Sequence, residues 1–268
     1  MKPKLAPEDF AKISEFITKN FGIKLPATKH VLVESRLYKR LRCCDKEDFQ
    51  DYTRYLFAPE GRQEREQLID HISTNKTDFY REKEHFEFLK RHYLETPPKR
   101  PLRFWSAACS SGEEPYTLAL TMEELREQGV TIDYRILATD ISEQILDKAR
   151  KACYTAADVA PVPPAVRNKY LRELAGTFTL PAYLLQNVAF QRFNLVEPQA
   201  YPAIRESFDA IFCRNVLIYF EMEVQQRVVA NLISKLRPGG LLFLGHAETM
   251  QGRHPSLERL APTVYRKK

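Results

Sequence analysis

The sequence of 268 residues has only five cysteines and lacks the patterns with which cysteine and histidine usually bind metal. There is no C-x-x-C pair and no H-E-x-x-H, and the six histidines are scattered. These absences argue against a disulfide framework and against a zinc site. We therefore expect no metal, and free thiols at all five positions, namely Cys43, Cys44, Cys109, Cys153 and Cys213.

Long apolar runs and phosphate-binding glycine motifs are missing as well. No apolar run reaches the length that a membrane-spanning helix needs, about 18 residues. The start Met1-Lys2-Pro3-Lys4 is soon followed by acids and does not resemble a signal peptide. We expect a cytoplasmic protein without membrane insertion. Because neither G-x-G-x-x-G nor G-x-x-x-x-G-K-[ST] occurs, a dinucleotide or a nucleoside triphosphate is disfavoured as ligand.

Positive charge is concentrated near the amino terminus. The net charge is +6 and the pI is near 9.0, which would suit nucleic acid, an acidic membrane surface or an acidic protein. Residues 24–46 carry seven basic side chains against two acids, a local charge of +5. Most of the excess positive charge therefore lies in one segment.

Residues 1–75 are predicted to form a helical, basic docking domain, with helices over 7–20, 27–42, 46–57 and 61–72. In the second helix, Val33, Leu37 and Leu41 recur every four residues and should pack inward. Basic side chains follow the neighbouring face, and an ordinary solvated charged face is the alternative interpretation. We predict that they dock an acidic partner, with four residues making the contact: Lys29, Arg36, Lys39 and Arg40.

After a connecting helix and linker over 76–100, residues 101–268 alternate between strand and helix patterns. Strands are predicted over 102–107, 133–138, 208–213 and 241–245, with helices over 114–128, 142–151 and 221–236. This alternation is typical of a doubly wound, mostly parallel α/β sheet. Prolines and short strand-like segments interrupt it, so we predict a small β subdomain inserted at about 155–193.

The most informative stretch runs from Phe104 to Tyr116, where an apolar strand gives way to small residues, one glycine and two acids. Small side chains allow a ligand to approach the backbone. Asp140 closes the next predicted strand, where doubly wound domains place an acid that accepts from ribose hydroxyls. Asp140 could instead cap a helix, although Ser142 is available for that. The combination favours a nucleoside that carries an amino acid, namely S-adenosylmethionine.

Several motifs follow one another along the chain and, together with the basic helical domain, cover nearly all of it: Asn75–Glu82 (NKTDFYRE), Trp105–Tyr116 (WSAACSSGEEPY), Ala138–Ile141 (ATDI), Phe208–Phe220 (FDAIFCRNVLIYF), Pro238–Phe243 (PGGLLF) and Gly245–Glu248 (GHAE). In this order they resemble the motifs of the chemotaxis receptor methyltransferases, the CheR family. The resemblance implies a class I, Rossmann-like methyltransferase that moves the methyl group of S-adenosylmethionine onto glutamate side chains of methyl-accepting chemotaxis proteins. S-adenosylhomocysteine would be the product.

The resemblance also implies site residues. Cofactor contacts would fall on Asn75, Thr77, Arg81, Glu114, Asp140, Asn194, Leu195, Arg214 and Asn215, with Glu113 as the near alternative to Glu114. Arg81 and Tyr219 would be the catalytic pair that orients the incoming carboxylate. Arg81 could instead pair with a structural acid, and Tyr219 could be core packing. Because a glutamate is ionised at pH 7, no catalytic base is required.

The implied partner is the helical, acidic cytoplasmic region of the receptors, which would suit the basic helix. Some family members tether a receptor's carboxyl-terminal pentapeptide with a glycine-rich loop in the small subdomain. Here the corresponding segment, 176–190, is short and has only Gly176, so that tethering is doubtful. Other hypotheses are methylation of RNA, DNA or a metabolite, and a non-catalytic adaptor that binds the cofactor. No nucleic acid is expected, because the Asn/Asp-Pro-Pro-aromatic motif and an aromatic-basic stripe are missing.

Overall fold

The structure is a computed structural model that describes residues 3–248 and 254–268. The chain divides into two compact units. The first comprises the residues up to Thr74 together with Tyr219–Arg227, and the second comprises Asn75–Ile218 and Val228–Lys268. Each unit has its own core and is described by itself.

The first unit is helical, as the sequence predicts. Its helices are α1 (Pro7–Phe21), α2 (His30–Cys43), α3 (Phe49–Phe57) and α4 (Arg62–Ile72), with short 3₁₀ turns at Ala27–Lys29 and Pro59–Gly61. Gly22 ends α1 with a left-handed φ of 71°, a conformation that glycine adopts at little cost. The apolar stripe of α2 is buried, which confirms the predicted inward face.

The second unit is built on a seven-stranded sheet in the order β5-β2-β1-β6-β7-β9-β8. The strands are β1 (Leu102–Ala107), β2 (Tyr134–Asp140), β5 (Val188–Arg192), β6 (Phe208–Cys213), β7 (Leu236–Leu244), β8 (Leu257–Ala261) and β9 (Val264–Lys267). The first five of these pair in parallel, and β9 pairs antiparallel with both of its neighbours. The predicted mostly parallel sheet is confirmed.

Six helices accompany this sheet: α5 (Glu84–Glu95), α6 (Glu113–Glu127), α7 (Glu143–Lys151), α8 (Pro164–Tyr170), α9 (Ala182–Leu185) and α10 (Met222–Lys235). The division between the units falls within α10. Buried aromatic side chains on β1, β6, β7 and α5 form the centre of the core, with Phe212 stacked on Phe243 at 4.2 Å between ring centroids. Parallel strands buried on both faces account for their nearly continuous apolar sequences.

The inserted subdomain is smaller than predicted. A two-stranded antiparallel hairpin, β3 (Arg172–Leu174) and β4 (Thr177–Thr179), stands apart from the main sheet. The strand over 188–192, which the prediction for 155–193 placed in the subdomain, is instead β5 and forms an edge of the main sheet beside β2. Because prolines precede this strand, the sequence pattern gives no sign that the chain has returned to the main sheet.

Two features near the carboxyl end depart from the sequence prediction. Strand β7 begins at Leu236 rather than at Leu241, and the Pro238-Gly239-Gly240 segment is accommodated by a register shift against β6. A Cβ on Gly240 would lie 2.9 Å from the carbonyl oxygen of Arg237 and 3.1 Å from that of Phe208, so a larger residue here would force the backbone to shift. The β8–β9 hairpin was not predicted.

None of the helices in the described part of the chain is both long enough and apolar enough to cross a membrane.

Candidate functional site

The candidate site lies at the carboxyl ends of β1, β2 and β6, which are neighbouring strands inside the parallel sheet. After β1 the backbone turns sharply, with left-handed φ values of 65° at Ala108, 50° at Ser110 and 95° at Gly112. A Cβ on Gly112 would lie 3.0 Å from Tyr116 and 3.1 Å from the Tyr154 hydroxyl. The side of Gly112 where a Cβ would lie therefore faces packed protein atoms, and the left-handed turn favours glycine at this position.

Asp140 ties this turn to the end of β2. It is 6% exposed, and its two carboxylate oxygens accept from the backbone N–H of Ser110 at 2.9 Å and of Ser142 at 3.0 Å. The Ser142 side chain caps α7 by accepting from Ile145 N, as predicted. Asp140 thus shapes the two loops.

The end of β5 is joined to the same place. Phe193 N donates to the carbonyl oxygen of Asp140 at 2.8 Å, so Asn194 and Leu195 follow directly beside it. The Asn194 side chain accepts from Val196 N, and Leu195 is buried. The structure therefore brings Asp140, Asn194 and Leu195 together, although the sequence separates them by more than 50 residues.

A buried ionic cluster lies next to this turn, at the end of β6. Arg214 is bonded to Glu114 at 3.1 Å and to Glu82 at 3.1 Å, and its guanidinium lies over the Phe86 ring at 5.3 Å. Glu114 also accepts from the Ser106 hydroxyl at 2.7 Å. Two carboxylates thus share one guanidinium in a largely buried setting. Arg214 and Glu114 were predicted from the sequence, whereas Glu82 was not.

The segment from Asn75 to Glu82 closes one side of this cluster. The carbonyl oxygen of Asn75 accepts from the Ser110 hydroxyl at 3.0 Å, and Thr77 is half-buried. Arg81 donates through Nη1 to the carbonyl oxygen of Lys76 at 2.9 Å, while its own carbonyl oxygen accepts from Arg214. The alternative that Arg81 pairs with a structural acid finds no ion pair among the residues described.

Burial opposes ionisation of the acids in this site to different extents. Burial raises the pKa of Glu113 to about 7, against the hydrogen bond that the Ser111 hydroxyl donates to its carboxylate. Burial also raises the pKa of Glu114, despite Arg214. In Glu82 burial is outweighed by Asn215 and Arg214, and the pKa is lowered. Glu82 is thus held as a carboxylate, and Glu113 titrates near neutral pH.

Asn215 is fixed from two directions. Its side-chain amide donates to Glu82 at 3.1 Å, and its backbone N–H donates to Glu248 at 2.7 Å. Its φ is 59°, an uncommon conformation for a residue other than glycine. Glu82 and Glu248 both lie in motifs that the sequence shows, but they are 133 and 33 residues from Asn215, and no spacing rule connects them to it.

Glu82, His85 and His246 offer ligand atoms within 4.8 Å of one another, a grouping that their positions in the sequence do not reveal. His85 is 2% exposed, and burial lowers its pKa to about 4, so it is neutral at pH 7. Its Nε2 lies 2.9 Å from the Thr263 hydroxyl and its Nδ1 lies 3.6 Å from Glu82. Because Glu82 already binds the Arg214 guanidinium, a divalent cation would have to compete with that group for the carboxylate.

Tyr219 ends a short 3₁₀ turn, Leu217–Tyr219, and clusters with the first unit. It is half-buried, and its carbonyl oxygen accepts from Lys24 N at 2.8 Å. The pairing of its hydroxyl with Arg81 in catalysis stays a prediction.

The four basic residues of the predicted docking helix divide into two kinds. Arg40 is bonded through two nitrogens to Glu64, which is 4% exposed, and Arg36 donates to the carbonyl oxygens of Ile72 and Ser73 at the end of α4. Lys29 and Lys39 are exposed. The prediction that all four residues contact an acidic partner is therefore corrected. Glu64 neutralises Arg40, and Arg36 binds carbonyl oxygens at the end of α4. Of the four, the two lysines remain for an external partner.

Comparisons with known proteins agree with this architecture. Residues 8–73 match the family described as CheR methyltransferase, all-alpha domain, and residues 75–265 match CheR methyltransferase, SAM binding domain. The chain is 36% identical to a chemotaxis protein methyltransferase of Borreliella burgdorferi, over 98% of this chain and 95% of the relative. It is 37% identical to chemotaxis protein methyltransferase 2 of Pseudomonas aeruginosa, over 96% and 92% respectively.

The similar protein of Escherichia coli, also a chemotaxis protein methyltransferase, is 33% identical over 99% of this chain and 93% of its own length. The predicted fold class and the predicted S-adenosylmethionine cofactor are thereby confirmed. The chain belongs to the CheR methyltransferase family and is an S-adenosylmethionine-dependent methyltransferase.

Proposed function

We propose that the chain forms glutamyl methyl esters on the helical cytoplasmic region of chemotaxis receptors, with the site at the ends of β1, β2 and β6 holding S-adenosylmethionine. The observation that carries the proposal is the charge of this site. Glu82 and Glu114 share the guanidinium of Arg214. A surplus of buried negative charge suits a cationic ligand and disfavours a phosphate.

The residues of the site fit the parts of that cofactor. Asp140, with Asn194 and Leu195 beside it, would accept from the ribose hydroxyls, which is the usual duty of an acid at the end of the second strand. Glu114, Arg214 and the segment from Asn75 would hold the amino-acid part. When bound, the cofactor supplies a methyl group attached to a positively charged sulfur.

Arg81 would direct the substrate glutamate. Its Nη1 is anchored on the carbonyl oxygen of Lys76, and the guanidinium has further N–H donors for a carboxylate. Tyr219 would add a hydroxyl donor. Since the glutamate is already ionised at pH 7, these groups need only desolvate and align it, and alignment is a large source of rate. A tight grip would stabilise the ground state, so we expect moderate contacts.

The exposed lysines Lys29 and Lys39 would contribute the docking contact with an acidic helical surface. Tethering of a receptor's carboxyl-terminal pentapeptide is not part of this proposal. The β3–β4 hairpin is short and turns at Ala175 and Gly176, with φ values of 50° and 78°.

The test is to incubate the protein with S-adenosylmethionine labelled in its methyl group and membranes that carry chemoreceptors. Label that is released by mild alkali identifies esters. Alkali-stable label on nucleic acid would instead support the RNA or DNA alternative, and binding of the cofactor without transfer would support an adaptor. A receptor whose methylated glutamates are changed to alanine is the matched control and should take up no label.

The roles of Arg81 and Tyr219 are tested separately from the fold. Arg81→Ala and Tyr219→Phe should each lower the turnover number more than the affinity for S-adenosylhomocysteine, because both residues are proposed to act on the carboxylate. Unchanged turnover in both variants would remove them from the mechanism.

A further inference from the structure

Glu248 makes an unusual set of contacts and has no part in the site as described so far. It is 6% exposed, and its carboxylate accepts only from backbone N–H groups. Oε2 accepts from Gly245 and Asn215, both at 2.7 Å, and Oε1 accepts from Leu217 at 2.6 Å and Ile218 at 3.3 Å. Four donors fill the acceptor sites of both oxygens.

These donors come from two different turns. Gly245 follows β7, whereas Asn215, Leu217 and Ile218 follow β6. Two neighbouring parallel strands thus end in loops that share one carboxylate. Because the acceptor is a charged group, each bond is stronger than one between neutral groups.

Gly245 is required for the same arrangement. A Cβ at this position would lie 2.7 Å from Oε2 of Glu248 and 2.7 Å from the side-chain amide of Asn215. Real Cβ atoms do not come so close, and the obstacle on one side is the backbone N–H of Asn215 at 2.8 Å. The carboxylate can reach both turns only because Gly245 has no side chain.

We propose that Glu248 is a positioning residue of the cofactor site: it holds the turn from Asn215 to Ile218, and so fixes the directions of the Arg214 and Asn215 side chains. Asn215 has a φ of 59°, the left-handed conformation of a tight turn, and its backbone N–H is one of the donors to Glu248. Glu82 holds the side chains of Arg214 and Asn215 from the other side. The inference rests on the proposed cofactor contacts of Arg214 and Asn215.

Asp209 offers a matched control. It is 8% exposed, lies on the same strand β6, and accepts from Arg100, Arg237 and the backbone N–H of Arg103. It lies near the amino end of β6, whereas the candidate site lies at the carboxyl end. Loss of its charge should weaken the fold without disturbing the site.

The experiment compares Glu248→Gln with Asp209→Asn in the full chain. The glutamine places an NH₂ group against N–H donors, so two of the four bonds are lost. We expect the affinity for S-adenosylhomocysteine, measured by calorimetry well below the melting temperature, to fall by about tenfold or more in Glu248→Gln, because the loosened turn no longer holds the Arg214 and Asn215 side chains in place. It should stay unchanged in Asp209→Asn, even though both variants melt earlier.

Hydrogen exchange gives a second measurement that needs no ligand. Amides of residues 215–218 should exchange faster in Glu248→Gln than in the unmodified chain and should be unaffected in Asp209→Asn. If Glu248→Gln does not fold, Glu248→Asp, which keeps the charge but shortens the side chain, takes its place in both measurements.

A folded Glu248→Gln protein with unchanged affinity and exchange would overturn the proposal, and so would an equal loss of affinity in Asp209→Asn. Failure of the unmodified chain to bind S-adenosylhomocysteine would instead refute the proposed cofactor site. In that case faster exchange at 215–218 would still report that Glu248 holds the turn.

Discussion

Replacing Arg40 by glutamine should destabilise the helical unit, although its neighbour Lys39 on the same helix should tolerate the same change. The Arg40 side chain is 17% exposed and donates through Nε to Glu64 at 2.9 Å and through Nη2 to Gln67 at 3.0 Å. Glu64 is 4% exposed and otherwise receives the Tyr52 hydroxyl at 2.8 Å. Without Arg40, a buried carboxylate keeps only one strong donor.

The size of the effect follows from this burial. Removing one partner of a buried ion pair costs roughly 3–5 kcal/mol, and the partial exposure of Arg40 favours the lower end. A loss of about 3 kcal/mol corresponds to a decrease of about 6–12 °C in the melting temperature of a chain of this size. Exposed Lys39 should change it by less than about 0.5 kcal/mol when replaced.

Circular dichroism melts of Arg40→Gln, Lys39→Gln and the double variant Arg40→Gln/Glu64→Gln measure this difference. The double variant should recover part of the loss, because it no longer buries an unpaired charge. Burial would raise the pKa of Glu64, but Arg40 and Tyr52 outweigh it and the pKa is lowered. Ionised Glu64 therefore stabilises the parent above the unfolded pKa of about 4.3, and less as the pH falls below it. Equal melting temperatures for Arg40→Gln and Lys39→Gln would refute the structural role of Arg40.

Two further predictions concern charge. Lys29→Glu and Lys39→Glu should raise the KM for receptor in methylation assays and leave the calorimetric affinity for S-adenosylhomocysteine unchanged; a KM that does not respond to either change or to salt would refute docking through these lysines. Glu113 has a pKa raised to about 7 by burial, so its stabilising, protonated form is fully present below about pH 4.3 and is lost as the pH rises through 7. Glu113→Gln should therefore melt higher than the parent at pH 8 and show little difference at pH 4, and an advantage confined to low pH would contradict this sign.

Much of the fold could be predicted because the spacing of apolar residues along the chain indicates which side chains are buried. Strand β1 begins and ends as predicted, and the apolar stripe of α2 lies inside the helical unit. The errors have local causes. Strand β5 follows a proline-rich stretch and was assigned to the insertion, and the β8–β9 hairpin turns at Thr263 with a φ of 55°, without the glycine that usually marks such a turn.

The ion pairs were harder to predict, because the sequence shows only which acids lie near a basic residue along the chain. Arg40 was interpreted as uncompensated since few acids lie nearby in the chain, yet Glu64 is 24 residues away and bonded to it. Similarly, Glu82 meets Arg214 across 132 residues. Charge counted within a window says what a segment carries, and only the fold says which of those charges are already neutralised.

The same reasoning explains why the two carboxylates that hold the β6 turn differ in how they could be found. Glu82 binds side chains, Arg214 and Asn215, that the family motif also marks, so a search for its partner could begin from the sequence. Glu248 binds backbone N–H groups, which every residue except proline possesses, and its signature is only that Gly245 three residues earlier has no room for a Cβ. A glycine and an acid three residues apart after a buried strand would therefore be the pattern to examine in other sheets of this kind, since the glycine permits the approach and the acid collects the N–H groups of the neighbouring turn.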